Sequence, residues 1–237
     1  MIIYNPHNET LFNERLKEAE ELLAQIPTKY CFITGSFLYK EKYKDIDIFV
    51  VTRSKKEITL KNKMHKGQSH LACQKSKRFL SKVKITTIDF NDLHSLFYHS
   101  VSKSCIAKNI LPTKQLKVTL SDYWHVINEA IPTLLNQKDK FHKDIRFLVL
   151  YTEYFKTSEI LDTFQLNERI NFFKNYHEIM DYVKRELPGI INKYAKPSYV
   201  KRFFYTQAAY YKKLKEYAAQ SFLYELTHDV ARGIAHG

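Results

Sequence analysis

The sequence predicts a mixed α/β fold: a small mixed sheet with flanking helices in the first half, followed by a mostly helical second half. Three observations carry that expectation. Apolar residues recur at helical spacing over residues 8–26. Three short strand-like runs follow, the last of them rich in β-branched residues and ending at Phe90. Beyond about residue 118 the strand-like runs give way to helical periodicity.

Residues 8–26 read as the first helix. Leu11, Phe12, Leu16, Ala19, Leu22, Leu23 and Ile26 repeat at three- and four-residue steps; Asn8 or Thr10 can cap its start, and Pro27 ends it. Residues 29–34 (KYCFIT) make a short strand that delivers the chain to Gly35. Residues 45–52 (DIDIFVVT) make a second, alternating at first and then continuously apolar, as a buried strand should be. Residues 82–90 (KVKITTIDF) make a third. The stretch between the last two has too little periodicity for an assignment. In the second half, 122–135 can form one helix despite Pro132, and 142–156 another. Asn167 is expected to cap a third helix that runs through Phe172, Phe173, Tyr176, Ile179, Met180 and Val183 to Leu187 and stops at Pro188. Pro197-Ser198 opens a fourth, reaching toward Arg232. The expected units are an α/β domain over 1–117 and a helical domain over 118–237.

Composition agrees with a folded chain able to bury a core without staples. Of the 237 residues 44% are hydrophobic and 27% charged, ordinary globular values, with only 5 Gly and 6 Pro. Cys31, Cys73 and Cys105 are odd in number and widely spaced, which argues against a disulfide framework or zinc knuckle. The start, Met1-Ile2-Ile3-Tyr4-Asn5-Pro6, has too short an apolar run and no basic residue for a signal peptide. No stretch approaches the roughly 18 apolar residues of a membrane span. The expectation is a protein of the reducing cytoplasm, away from membranes. Net charge is +13 and unevenly placed: residues 51–117 carry 15 Lys and Arg against Glu57, Asp89 and Asp92. That balance is either a solvated lysine-rich face or a surface for a polyanion, with nucleic acid the commonest candidate.

The residues that suggest chemistry are few. In Asp45-Ile46-Asp47 a strand turns both carboxylates to one face while Ile46 and Ile48 enter the other. Two such charges, roughly 6.5 Å apart, repel by about 2.5 kcal/mol at an effective dielectric near 20. A divalent cation turns that repulsion into attraction, and Mg²⁺ favours one or two carboxylates together with phosphate oxygens. Alone, the pattern reads more simply as two aspartates at an exposed strand edge. Gly35-Ser36, eight residues before Asp45, changes the weighting. Glycine lets backbone approach a phosphate, and the serine hydroxyl and nearby amides can donate to it. Asp89 ends the third strand in an alternating run with Ile85 and Thr87, where a lone aspartate is more often a cap or turn former.

Taken together, strand-Gly35-Ser36, Asp45-Ile46-Asp47 on a second strand and Asp89 on a third resemble the nucleotidyltransferase superfamily related to DNA polymerase beta. The resemblance covers roughly residues 1–117. It implies that Gly35 and Ser36 hold the β- and γ-phosphates of a nucleoside triphosphate. It also implies that Asp45 and Asp47 bind two Mg²⁺ or Mn²⁺ ions and that Asp89 helps hold the catalytic one, serving nucleotidyl transfer with loss of pyrophosphate. Many small members place Arg and Gly soon after the Gly-Ser pair. This chain instead runs Phe37-Leu38-Tyr39-Lys40-Glu41-Lys42-Tyr43-Lys44, so Lys44 or Lys42 is expected to supply the charge for the triphosphate.

Other candidates are weaker. His65/His70 and His94/His99 are spaced by five, which suits neither a shared helical face nor zinc. Arg232-Gly233-Ile234-Ala235-His236 is one residue too short for the Arg-x(4–6)-His motif of helical ribonuclease domains. Tyr205, Tyr210, Tyr211, Lys212 and Lys213 could stack bases and meet phosphates, but aromatics at helical spacing are more often core. The expected activity is transfer of a nucleoside monophosphate to an acceptor hydroxyl, with RNA favoured by the basic 51–117 region. The alternative is a non-catalytic nucleic-acid-binding protein on a retained transferase fold.

Overall fold

The computed structural model describes residues 1–53, 82–127 and 145–194. It divides into two compact units. The first, among the described residues, holds 1–53, 82–118 and 160–167. The second, among the described residues, holds 119–127, 145–159 and 168–194.

The first unit is a five-stranded mixed sheet with helices on its two faces. Its strands are β1 (Ile2–Tyr4), β2 (Cys31–Thr34), β3 (Asp45–Thr52), β4 (Lys82–Asp89) and β5 (Cys105–Ala107), in the order β1-β5-β2-β3-β4. β2 runs antiparallel to both β3 and β5, whereas β3 and β4 are parallel. The helices are α1 (Glu9–Ala24), the four-residue α2 (Ser36–Tyr39) and α3 (Leu96–Lys103), with a 3-10 turn at Phe90–His94. Asn8 caps α1 by accepting from the Leu11 amide at 3.0 Å. The apolar stripe read from the sequence is the one α1 buries: Leu11, Phe12, Ala19, Leu22 and Leu23.

Strand alternation sorts side chains into two cores. On one face Ile33, Ile46, Ile48, Val50 and Ile85 pack with Phe12, Leu22 and Leu23 of α1 and Phe37 and Leu38 of α2. On the other, Phe32, Phe49, Val51 and Ile88 pack with Leu93, Tyr98 and Val101. The Phe32 and Phe49 rings stack there at 5.3 Å between centroids. The central strands are thus buried on both sides, which is why β3 reads as an apolar run after its first three residues.

Residues 160–167 join this unit through specific polar contacts. Lys103 Nζ donates to the Ile160 carbonyl at 2.6 Å, and Ser100 Oγ to that of Leu161 at 2.6 Å. Asp162, 1% exposed, meets His7 Nε2 at 2.6 Å through one oxygen; through the other it accepts from the amides of Phe164 and Gln165. Those amides begin α5 (Thr163–Asn171); the helix before it, α4, is Arg146–Thr157 and the one after it, α6, is Tyr176–Tyr194.

In the second unit a helical run over 120–127 buries Tyr123, Trp124 and Ile127, and α4 buries Leu148, Val149, Leu150, Thr152, Glu153 and Phe155. The Tyr123 hydroxyl lies 2.7 Å from Thr152 Oγ1. Glu153, 3% exposed, is hydrogen-bonded by the Tyr182 hydroxyl and by Arg169 Nη2 at 3.1 Å, so its charge is compensated where it is buried.

One expected helix is two. Asn167 lies inside α5, and Asp162 caps that helix. The chain breaks after Asn171 because a new cap competes: Asn175 Oδ1 accepts from the Glu178 amide at 3.1 Å while Glu178 Oε2 accepts from the Lys174 amide at 2.7 Å. Nor does Pro188 stop the second helix; α6 continues to Tyr194. A proline there removes one backbone hydrogen bond, and burial of Ile179, Val183, Leu187 and Ile190 offsets it. The remainder of 122–135, the start of 142–156 and the helix from Pro197 lie outside the described residues. No helix among the described residues is long and apolar enough to cross a membrane.

Candidate functional site

The Gly35-Ser36 turn and the Asp45/Asp47 pair come together at one end of the β2–β3 pair. β2 delivers Thr34, which pairs in register with Asp47, so the chain leaves the sheet at Gly35 directly beside the second aspartate. Gly35 has φ 85° and ψ −161°, a conformation essentially reserved for glycine. A Cβ there would lie 3.1 Å from Asp47 Oδ2. The absent side chain is therefore what lets the backbone and the carboxylate sit so close. Ser36 is half-buried and opens α2. Lys44 is exposed immediately before β3, and Lys42 is exposed two residues earlier.

Asp45 and Asp47 are half-buried and share the sheet face of Phe49 and Val51, as the strand period requires, while Ile46 and Ile48 enter the opposite core. The Asp45 carboxylate is ion-paired with Lys84 Nζ, at side-chain exposures of 25% and 40%. Register explains the meeting. Lys84 pairs with Asp47 in the parallel β3–β4 ladder and reaches diagonally to Asp45 on the same face. A row Thr34, Asp47, Lys84 thus crosses three strands.

Asp89, expected to help hold the catalytic ion, lies apart from this group. It pairs with Thr52, at the other end of β3. From Lys84 it lies five residues along β4, about 16 Å at ~3.3 Å per residue. Five is odd, so Asp89 also emerges on the opposite face of the sheet. There it is exposed and caps the 3-10 turn, its Oδ1 accepting from the Asn91 amide at 2.7 Å. The run that aligns it with Ile85 places it with Ile48, because Ile85 and Ile48 are cross-strand partners.

A two-ion centre can now be tested against the residues present. Each ion needs carboxylate oxygens of its own or shared with its neighbour. Asp45 and Asp47 suit one ion, but the set Asp45, Asp47 and Asp89 is not assembled, and an ammonium sits on Asp45. No group of three His, Cys, Asp or Glu among the described residues is arranged to hold a metal. The two-ion set does not fit; a single ion shared with phosphate oxygens does.

Several neighbours of the turn escaped the sequence reading. Thr34 Oγ1 donates to the Ser104 carbonyl at 2.9 Å and lies 3.0 Å from Thr163 Oγ1. The Tyr39 hydroxyl is hydrogen-bonded to Asn167 Nδ2, and Phe164 is stacked on His7 and edge-on to Tyr39. No local signal announces these contacts, since they join residues 70 or more apart in sequence. Lys84 stands at the alternation period of β4, but its meeting with Asp45 depends on the β3–β4 register. His94 and His99 each meet a backbone carbonyl, of Asn91 at 2.6 Å and Lys114 at 3.0 Å. His65, His70, Lys75, Lys77, Arg78, the Tyr/Lys helix and Arg232–His236 lie outside the described residues.

No protein-family model matches the sequence, and neither the curated proteins nor the solved structures compared with it give a match.

Proposed function

We propose that the chain transfers a nucleoside monophosphate from a nucleoside triphosphate to an acceptor hydroxyl on nucleic acid, RNA above all, and releases pyrophosphate. The observation that supports this most is the approach of Gly35 to Asp47. A turn suited to a phosphate and carboxylates suited to its counter-ion lie against each other. Gly35 lets the phosphate near the backbone, Ser36 donates to its oxygens, and Lys44 adds positive charge. Asp45 and Asp47 would hold the one Mg²⁺ or Mn²⁺ ion that accompanies the triphosphate, whose charge it offsets when bound. In the transfer the acceptor oxygen bonds to the α-phosphorus, the bond to pyrophosphate breaks, and the hydroxyl proton passes to solvent. A reducing cytoplasm is the compartment that suits the buried free thiols of Cys31 and Cys105.

The case for RNA rests on charge. Among the described cations of 51–117, Lys84, Lys103 and Lys108 are engaged within the fold. The supply for a polyanion therefore lies chiefly with the eight Lys and Arg of residues 54–81. One observation favours the rival reading, a non-catalytic nucleic-acid binder: Asp89 is remote and Lys84 occupies Asp45.

Incubation with labelled nucleoside triphosphates, Mg²⁺ or Mn²⁺ and total RNA separates the two. Covalent label on RNA, abolished by Asp47→Asn, is the expected result. RNA retention without label would leave only the binder. Retention should weaken with log salt at about 0.7 to 0.9 per phosphate contact, and Lys75, Lys77 and Arg78 replaced by Ala should flatten that slope.

A further inference from the structure

We infer that Lys84 is a tethered cation standing in the acid site, and that the site takes one divalent ion and not two. The inference rests on reading Asp45 and Asp47 as ion ligands, and it is the mismatch with a two-ion centre that prompts it. β4 is the strand that would have to bring a further carboxylate level with the aspartates. The residue it places on their face at that level is Lys84, which pairs with Asp47. The first carboxylate further along β4, Asp89, is beyond reach on the opposite face.

The charges decide the count. Two carboxylates carry −2, and the Lys84 ammonium already offsets one of them through direct contact with Asp45. One divalent ion leaves a net positive site, which a triphosphate balances. Two divalent ions, about 3.5 to 4 Å apart as such centres require, would place five positive charges around two negative ones. A lysine in contact with the shared ligand thus competes with metal at Asp45 and leaves Asp47, against Gly35, as the ion's main anchor. Lys84 is in this sense a positioning residue: it holds Asp45 and sets how many ions enter.

Mn²⁺ counting by paramagnetic resonance and equilibrium dialysis on the full chain tests this, without and with a non-hydrolysable triphosphate. The expected result is one Mn²⁺ per chain. Lys84→Met keeps the stem and removes the charge, and should tighten Mn²⁺ binding at least tenfold in the absence of nucleotide. Lys84→Glu supplies the missing carboxylate and should raise the count to two. Two ions on the unaltered protein, no ion at all, or a Lys84→Met affinity equal to that of the parent would each overturn the inference; circular dichroism confirms that both variants fold. If Mn²⁺ behaves as expected but the triphosphate changes nothing, the nucleotide reading fails while the single-ion inference stands.

Discussion

Replacing Gly35 with alanine probes the site and the fold at once. At φ 85° and ψ −161° a residue with a Cβ meets a penalty of about 1 to 3 kcal/mol. The new methyl would also stand 3.1 Å from Asp47 Oδ2, so the carboxylate must rotate off its preferred geometry, adding up to about 1 kcal/mol. The expected loss of stability for Gly35→Ala is therefore about 1 to 4 kcal/mol. Gly189→Ala is the natural control. Gly189 lies inside α6, and a Cβ there meets nothing within 4 Å, so alanine should stabilise by about 0.5 to 1 kcal/mol. Urea titration followed by far-ultraviolet circular dichroism, extrapolated linearly to water, measures both. Trp124, the sole tryptophan, gives a second probe that belongs to the unit holding Gly189. Displacing Asp47 should also weaken triphosphate binding by an order of magnitude or more. A Gly35→Ala protein within about 0.5 kcal/mol of the parent would refute the argument, because neither the backbone conformation nor the close approach would then be what the geometry says.

Two further outcomes follow from single contacts. Asp89→Asn should leave stability within about 0.5 kcal/mol, because the amide oxygen can still accept from Asn91, whereas Asp89→Ala should cost about 1 kcal/mol. Neither should alter triphosphate binding measured by calorimetry, and a collapse in Asp89→Asn would return that residue to the site. Burial pushes the Cys31 thiol up to about 11 from an ordinary 9.0, against the opposing pull of the Lys108 charge. A folded-state pKa above the unfolded one means stability that is complete below pH 9 and lost as pH rises toward 11, about 2 to 3 kcal/mol in all. Burial also pushes up Cys105, Tyr98 and Tyr123, which steepens the same decline. Urea midpoints between pH 8 and 10.5 should fall less in Cys31→Ala than in the parent, and parallel slopes would sink the assignment.

What the sequence made legible was whatever one element decides alone. The stripe of α1, its Asn8 cap and the β3 boundaries Asp45–Thr52 come from periodicity and propensity within a few residues. So does the common face of Asp45 and Asp47. What it hid depends on pairing. Whether Asp89 meets Asp47 is a question of the β3–β4 register, and one strand's alternation says nothing of its partner's offset. Three-residue strands such as β1 and β5 are too short to show a period at all. The helix expected from Asn167 to Leu187 failed for a local reason that was present in the letters, since Asn175 and Glu178 form a cap signal inside an otherwise helical pattern. The return of Ile160–Asn167 to the first unit depends on contacts with Lys103, Ser100, His7 and Thr34 that no window of sequence contains.

The acid pair still asks for a reason, and stability does not supply one. An ion pair as exposed as Asp45 and Lys84 contributes about 0.2 to 1 kcal/mol. Asp47 adds a like charge two residues away on the same face and brings that charge against the Gly35 backbone. An Asn or Thr at that position would keep the strand and remove the repulsion. A glycine conformation that excludes other residues adds a second constraint at the same point, since Gly35 gives up more chain entropy on folding than any alternative. Both constraints become favourable when a phosphate with its own cation enters. On the proposed reading the cation would meet Asp47, the phosphate would meet the backbone beside Gly35 and the hydroxyl of Ser36, and Lys84 would continue to balance Asp45. The geometry that stability leaves unexplained is the geometry a metal–phosphate ligand would use.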